Sequence, residues 1–326
     1  MIIALLATSL ILTPAPCTRV DSVPSQPITL KTATGDIFGT VVVPSGPGRH
    51  PVVLVIAGSG PTDRDGNSPA AVAPGKSLHT DSYKLLAAAL AADGIASVRY
   101  DKRGIAASAP AMAGLKESDY RFDMGIGDAA AWITMLRADP RFSKIIIVGH
   151  SEGSLVGMVA AEHVRADGFI SLEGAGRRAA EVIREQLVAR GVPVAMFGSI
   201  LDTLSVGKTV DSTPPALAAL FRPSVQPYLI SWFRYDPAAE LKKLPYATLV
   251  IQGTHDVQVS AKDASLLATA PRAKLLTIDG MTHVLKMGPA DAATQATTVY
   301  SDPTIPIAPE IVSAIAAYVN ASSHAR

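Results

Sequence analysis

The chain has 326 residues, 48% hydrophobic and 17% charged, which suits one large globular domain or a core with a smaller insertion. Its 29 basic and 28 acidic residues leave a formal net charge of +1. No basic cluster with interleaved aromatics occurs, which argues against nucleic acid or an anionic membrane surface as a partner.

At the N-terminus, an apolar run from Ile2 to Leu12 gives way to a Thr/Pro/Ala break. A bilayer-spanning helix needs about 20 residues, so the run is too short to span and has the length of a signal-peptide apolar region. It lacks a preceding Lys or Arg and a clean Ala-x-Ala site. The expectation is a leader over residues 1–22 and an exported chain, periplasmic or secreted. Cys17 is the only cysteine, so the sequence offers neither a disulfide framework nor a thiolate metal site. Lipid attachment at Cys17 is the alternative, which Pro16 fits poorly.

After the leader, "PITLKTATGDIFGTVVVPSG" alternates branched and polar residues around Gly35 and predicts two antiparallel strands. "HPVVLVIAGSG" is a continuous apolar run, as expected of a strand buried on both faces. "DSYKLLAAALAADGIASVRYDKRG" reads as a helix stopped at Gly94, then a strand from Ile95 to Tyr100. "DMGIGDAAAWITMLRADPRFSKIIIVGHSEG" repeats that order. "SLVGMVAAEHV" and "GFISLEGAG" supply the next helix and strand. Such alternation predicts an α/β fold, with a mostly parallel central sheet, helices on both faces and the antiparallel strands at one edge.

Over residues 177–241 the pattern turns helical, in pieces separated by Pro193, Pro214, Pro215, Pro223 and Pro227. This segment is expected to be an inserted cap or lid, and residues 23–176 and 242–326 the core. Alternation resumes with "YATLVIQGTHD", a helix near Ala261 to Thr269, "AKLLTIDGMTH" and a final helix from Pro309 to Asn320.

Gly149-His150-Ser151-Glu152-Gly153 matches G-x-S-x-G between a strand and a helix, the context that gives the pattern its meaning. Small flanking residues let the backbone take a strained angle that exposes Ser151. A serine hydroxyl needs a base, usually His, and an acid to hold that His. His283, in the loop after the last predicted strand, and Asp256, after the strand before it, stand in the required chain order, at the strand ends that carry ligand sites in open α/β sheets. Asp279 is the rival acid and His255 the rival base. An oxyanion hole needs two N–H donors. One is expected from Glu152, directly after the serine, and the other from Ser59, with Gly60 next, in the glycine-rich loop after "VVLVIAG".

"AGSGPTDRDG", "RYDKRG", "GHSEG", "GTHD" and "GMTH", in this order, resemble the serine esterases of the α/β-hydrolase superfamily. The resemblance covers nearly all of the chain after about Pro27 and is weak in the inserted helices. It implies the α/β-hydrolase fold and a carboxylesterase acting on short acyl chains, with serine aminopeptidase and dienelactone-hydrolase-like relatives. One departure is Arg103-Gly104-Ile105-Ala106-Ala107-Ser108, where the family often has Arg-Gly-x-Gly-x-Ser.

The expected partner is a small-molecule ester covered by the cap, with Met196, Phe197, Phe221, Trp232 and Phe233 as pocket candidates. Amide cleavage from a chain end is the second enzymatic reading. It requires an amine-binding carboxylate such as Glu181, Glu185 or Asp202. A non-catalytic binding protein on the same fold would normally lack one triad residue, and all three are present. Asp63, Arg64, Asp65, Asp101, Lys102 and Arg103 are expected to form ion pairs tying loops together, with a substrate carboxylate at Arg64 or Arg103 as the sharper alternative. The "APGKS" stretch lacks the earlier Gly and the leading strand of a phosphate loop, and no HExxH pair exists, so no cofactor or metal is expected. Monomer and homodimer both remain open.

Overall fold

A computed structural model of the chain describes residues 24–321. The expected leader and Cys17 lie outside the described residues. Strands β1 (Ser25–Thr32) and β2 (Gly35–Val42) form an antiparallel hairpin whose turn closes at Gly35 with φ 135°, open to glycine and strained for other residues. Next come β3 (His50–Ile56), a short hairpin of β4 (Ser68–Ala73) and β5 (Lys76–Leu78), α1 (Ser82–Ala92) and β6 (Ala96–Tyr100). They are followed by α2 (Phe122–Ala138), β7 (Phe142–His150), α3 (Glu152–His163) and β8 (Gly168–Leu172). Between β8 and β9 lie α4 (Ala179–Ala189), α5 (Gly198–Ser205), α6 (Ala218–Phe221), α7 (Gln226–Phe233) and α8 (Pro237–Lys243). The chain closes with β9 (Thr248–Gly253), α9 (Ala261–Leu267), β10 (Ala273–Ile278), α10 (Ala292–Thr297) and α11 (Pro309–Ala321).

Eight strands form one sheet in the order β1-β2-β6-β3-β7-β8-β9-β10, parallel from β6 onward, with β2 the reversed strand. Strand side chains alternate between faces, and the central strands bury both. Val52, Leu54, Ile56, Ile145 and Ile147 join one core with α2 and α3. Val53, Val55, Ile146 and Val148 join another with α1 and α11. Each such side chain contributes about 1.5–3 kcal/mol on burial, so a one-residue register slip in β3 or β7 would misplace both faces at once. Helix α3 is buried continuously from Gly153 to Ala161, enclosed by the sheet, α2 and α8.

The hairpin β4–β5 and helix α10 are elements that the sequence pattern does not announce. Helices α4, α5, α6 and α7 enclose an apolar cluster of their own, while α8 returns Leu241 to the main core. Helix α7 seats on the start of α2 and on the residues just before it through stacked rings. Trp232 lies over Phe122 at 5.6 Å between centroids, and Tyr228 over Tyr120 at 5.4 Å. In the departing "RGIAAS" stretch, Ala106 keeps a left-handed φ of 44° where the resembled family often has glycine. A Cβ at this angle carries strain that glycine would not.

Among the described residues, no helix is long and apolar enough to cross a membrane.

Candidate active site

The turn from β7 to α3 carries Ser151 at φ 53°, ψ −121°, a region costly for a residue with a Cβ. Its N–H donates to the Leu172 carbonyl at 2.9 Å, and its carbonyl accepts from Ser154 N at 3.0 Å, so the turn is locked from both sides. The flanking glycines are steric necessities. A Cβ on Gly149 would stand 2.5 Å from Ser154 Cα, and one on Gly153 would stand 2.6 Å from the Ala57 carbonyl oxygen. The loop after β3 presses on the turn, since a Cβ on Gly58 would lie 3.1 Å from Ser151 Cβ. Glu152 opens α3, so its N–H has no partner within the helix.

His283 is buried, and its Nδ1 lies 2.8 Å from Asp256 Oδ2. Asp256 Oδ1 accepts the N–H groups of Gln258 and Val259, at 2.7 and 2.9 Å. Burial works to raise the Asp256 carboxyl. The facing His283 charge, with hydrogen bonds from His283, Glu173 and Val259, outweighs burial and holds it at about 2. Asp279 is occupied by the Thr254 hydroxyl at 2.9 Å, and His255 Nδ1 meets the Gly288 carbonyl at 2.6 Å. The structure thus pairs His283 with Asp256, not with Asp279.

Ser151 and His283 border one cavity of about 90 Å³, shared with Gly58, Ser59, Leu78, Val284 and Tyr300. None of Met196, Phe197, Phe221, Trp232 and Phe233 lines it. Phe197, Phe221 and Phe233 fill the interior of the inserted helices, Met196 packs against them, and Trp232 stacks on Phe122. An insertion this small needs its large side chains for its own core. Arg64 is paired with Asp101 at 2.6 Å and Arg103 with Asp128 at 2.6 Å, as the loop-tying reading expects, whereas Lys102 donates to backbone carbonyls and Asp63 accepts backbone N–H groups. Glu185 and Asp202 pair with Arg177 and Arg184, and Glu181 is exposed.

Several residues at the site carry no sequence motif. Tyr83 OH lies 2.7 Å from His150 Nδ1, and His150 Nε2 lies 2.8 Å from the His283 carbonyl. A carbonyl only accepts, so Nε2 bears the proton and Nδ1 accepts from Tyr83. Gly58 N–H donates to Tyr83 at 3.2 Å, which completes a buried chain from the β3 loop to His283. Burial, then the nearby His283, lowers His150 to about 3, so it stays neutral. The Glu152 side chain is half-buried near Lys102 and Tyr228, not on the surface; burial raises its carboxyl, partly offset by Lys102 and Tyr228.

Glu173, directly after β8, is fully buried with φ 48°. Its Oε1 accepts from Gly253 N at 2.8 Å, while Oε2 meets no donor among the described residues. Burial, then the Asp256 charge and contact, push it well above the usual carboxylate range. Two carboxyl groups in contact share a proton, and Glu173 is the one that keeps it. An unfolded Glu ionises near 4.5, so stability is full below that pH and falls as pH rises toward the raised folded value. Glu173→Gln retains both hydrogen-bonding roles without ionising. Its melting temperature is expected to exceed wild type by a margin that grows from pH 5 to pH 8. A margin independent of pH in thermal scans would refute the neutral-acid assignment.

Among the described residues, no group of three or more His, Cys, Asp or Glu side chains is placed to hold a metal ion.

Comparison with known proteins matches residues 70–214 to the family described as serine aminopeptidase, S33. Esterase EstD of Thermotoga maritima is 27% identical over 264 residues, 77% of this chain; the chain spans 58% of the length of that relative. Est1E from Butyrivibrio proteoclasticus superposes with a TM-score of 0.58 at 15% identity, over 91% of this chain and 98% of its own. EstE1, a thermophilic carboxylesterase cloned from a metagenomic library, gives 0.54 at 18% identity, over 93% and 90%.

Proposed function

We propose that this chain, an α/β-hydrolase by fold, is a serine carboxylesterase acting on short-chain esters through Ser151, His283 and Asp256. The observation that carries the reading is the 2.8 Å contact of His283 Nδ1 with Asp256, on the rim of the cavity bordered by the strained Ser151. With Nδ1–H held by Asp256, Nε2 is the nitrogen free to take the Ser151 proton. Ser151 Oγ then attacks the ester carbonyl carbon, and the carbonyl oxygen becomes an oxyanion facing the N–H groups of Glu152 and Ser59. Collapse breaks the bond to the alcohol oxygen, which leaves with the proton from His283. Water, deprotonated by His283, attacks the acyl-Ser151 ester; the acid departs and Oγ regains its proton.

The names of EstD and EstE1 support ester chemistry. The cavity of about 90 Å³, walled by Leu78, Val284, Leu285 and Tyr300, supports short acyl groups; an apolar cavity of roughly 150 Å³ is what admits benzene. Acetyl to butyryl p-nitrophenyl esters are expected to give the highest kcat/KM, with octanoyl and benzoyl esters at least about tenfold lower, since an acyl group larger than the cavity forfeits contacts worth about 1.4 kcal/mol or more. A flat or rising series would overturn the short-acyl assignment. The serine aminopeptidase description of the matched family favours amide cleavage as the second reading. Faster turnover of aminoacyl p-nitroanilides than of the esters would select it. Export, read from residues 1–22, belongs to the same proposal, and the mass of the mature chain checks it directly.

A further inference from the structure

The loop after β3 lies between two cavities. Gly58 and Ser59 border the cavity of Ser151 on one side, and Lys102 borders a smaller one, with Glu152 and Tyr228, on the other. Lys102 reaches the loop from the end of β6, the neighbour of β3 in the sheet. Its ammonium donates to the carbonyl oxygens of Gly58 and Gly60, the latter at 2.8 Å.

A trans peptide is planar, with its C=O and N–H pointing in opposite directions, and the described peptide bonds include no cis bond. Fixing the Gly58 carbonyl toward Lys102 therefore turns the Ser59 N–H the other way, toward the cavity of Ser151. The neighbouring units have other tasks. Gly58 N–H is used by Tyr83, and the Ser59 carbonyl, in the same peptide as Gly60 N–H, accepts from the Thr62 hydroxyl at 3.0 Å. The Gly60 carbonyl belongs to the peptide of Pro61, which has no N–H, so that contact anchors the loop without aiming a donor. A cationic donor on a carbonyl also polarises the peptide and strengthens its N–H.

We propose that Lys102 is a positioning residue that aims the Ser59 N–H at the oxyanion. This rests on the serine esterase reading. It also separates Ser59 from Gly60 as the second donor.

The test compares wild type, Lys102→Met, Lys102→Arg and Lys102→Ala as full chains. Losing one oxyanion donor lowers kcat by about 10²–10³, and misaiming one should cost about 10–100-fold in Lys102→Met, with KM within about threefold. A trifluoromethyl ketone that forms a tetrahedral adduct should lose affinity by the same factor. Lys102→Arg, or methylammonium added to Lys102→Ala, should restore part of both. Unchanged kcat and ketone affinity in Lys102→Met would overturn the proposal. A fall in kcat without a parallel loss of ketone affinity would do so too, because a general loosening of the fold has no reason to track the adduct. If Lys102→Met does not fold, Lys102→Ala with and without methylammonium decides alone, and absence of rescue counts against the proposal. If wild type itself neither hydrolyses esters nor is labelled by a fluorophosphonate, the esterase reading has failed, and Lys102 is not the cause.

Discussion

A Ser151→Ala chain is expected to lose about 10⁶-fold in kcat on a short p-nitrophenyl ester, with its unfolding transition close to wild type. That magnitude follows from the proposed triad, whose residues would act as a unit: without the nucleophile, the base and acid have nothing to activate, and only oxyanion binding and substrate positioning would remain. The substitution removes one oxygen at a half-buried position and leaves the backbone hydrogen bonds of the turn in place. Alanine at φ 53° is strained much as serine is. Stopped-flow measurement of the p-nitrophenol burst and fluorophosphonate labelling report the outcome. Turnover within tenfold of wild type would remove Ser151 from the mechanism and send the search to another hydroxyl on the same cavity, such as Ser59, Thr80 or Ser82.

The second large effect is on stability. Gly153→Ala places a methyl group 2.6 Å from the Ala57 carbonyl oxygen and closer still to that of Ile56, backbone atoms of β3 and its exit that no rotamer change can move. Either β3 or α3 must shift, at a cost of about 3 kcal/mol or more. Gly127→Ala is the internal control. It lies on the exposed side of α2 with open space around it, and should stabilise by about 0.5–1 kcal/mol through helix propensity. Urea unfolding of the two variants should therefore move in opposite directions. Because β3 also leads into the Gly58–Gly60 loop, Gly153→Ala should lower kcat by about 10²-fold beyond its effect on folding, as misplacement of about 1 Å can. A Gly153→Ala midpoint equal to wild type would show that the turn has slack the packing does not reveal.

The strand and helix order is legible in the sequence because apolar runs and glycine or proline breaks mark each joint. Chain order likewise puts Asp256 and His283 in the loops that follow the last two strands, β9 and β10. What the sequence withholds is which strands are neighbours. Lys102 reaches the β3 loop only because β6 lies beside β3, and Glu173 reaches Asp256 only because β8 lies beside β9. Both lie just past strand ends, the one signal that could have marked them, but a lysine or glutamate there looks like any loop charge. The placement of the aromatic residues between β8 and β9 is withheld for a related reason. Helical spacing says that a side chain faces inward, and cannot say whether inward means the centre of the cap or the surface it turns toward the sheet. The β4–β5 hairpin is hidden by its small residues, glycine and prolines, which read as a plain loop.

That hairpin is not hydrogen-bonded into the eight-stranded sheet, yet its Leu78 forms part of the cavity wall beside Val284 and Tyr300. Ser151, Asp256 and His283 hang from the ends of β7, β9 and β10. Leu78 is thus a part of the wall that the main sheet does not hold in place. The hairpin can lengthen, shorten or change its residues over evolutionary time, altering the shape of the cavity, while the turns that follow β7, β9 and β10 stay where the sheet holds them.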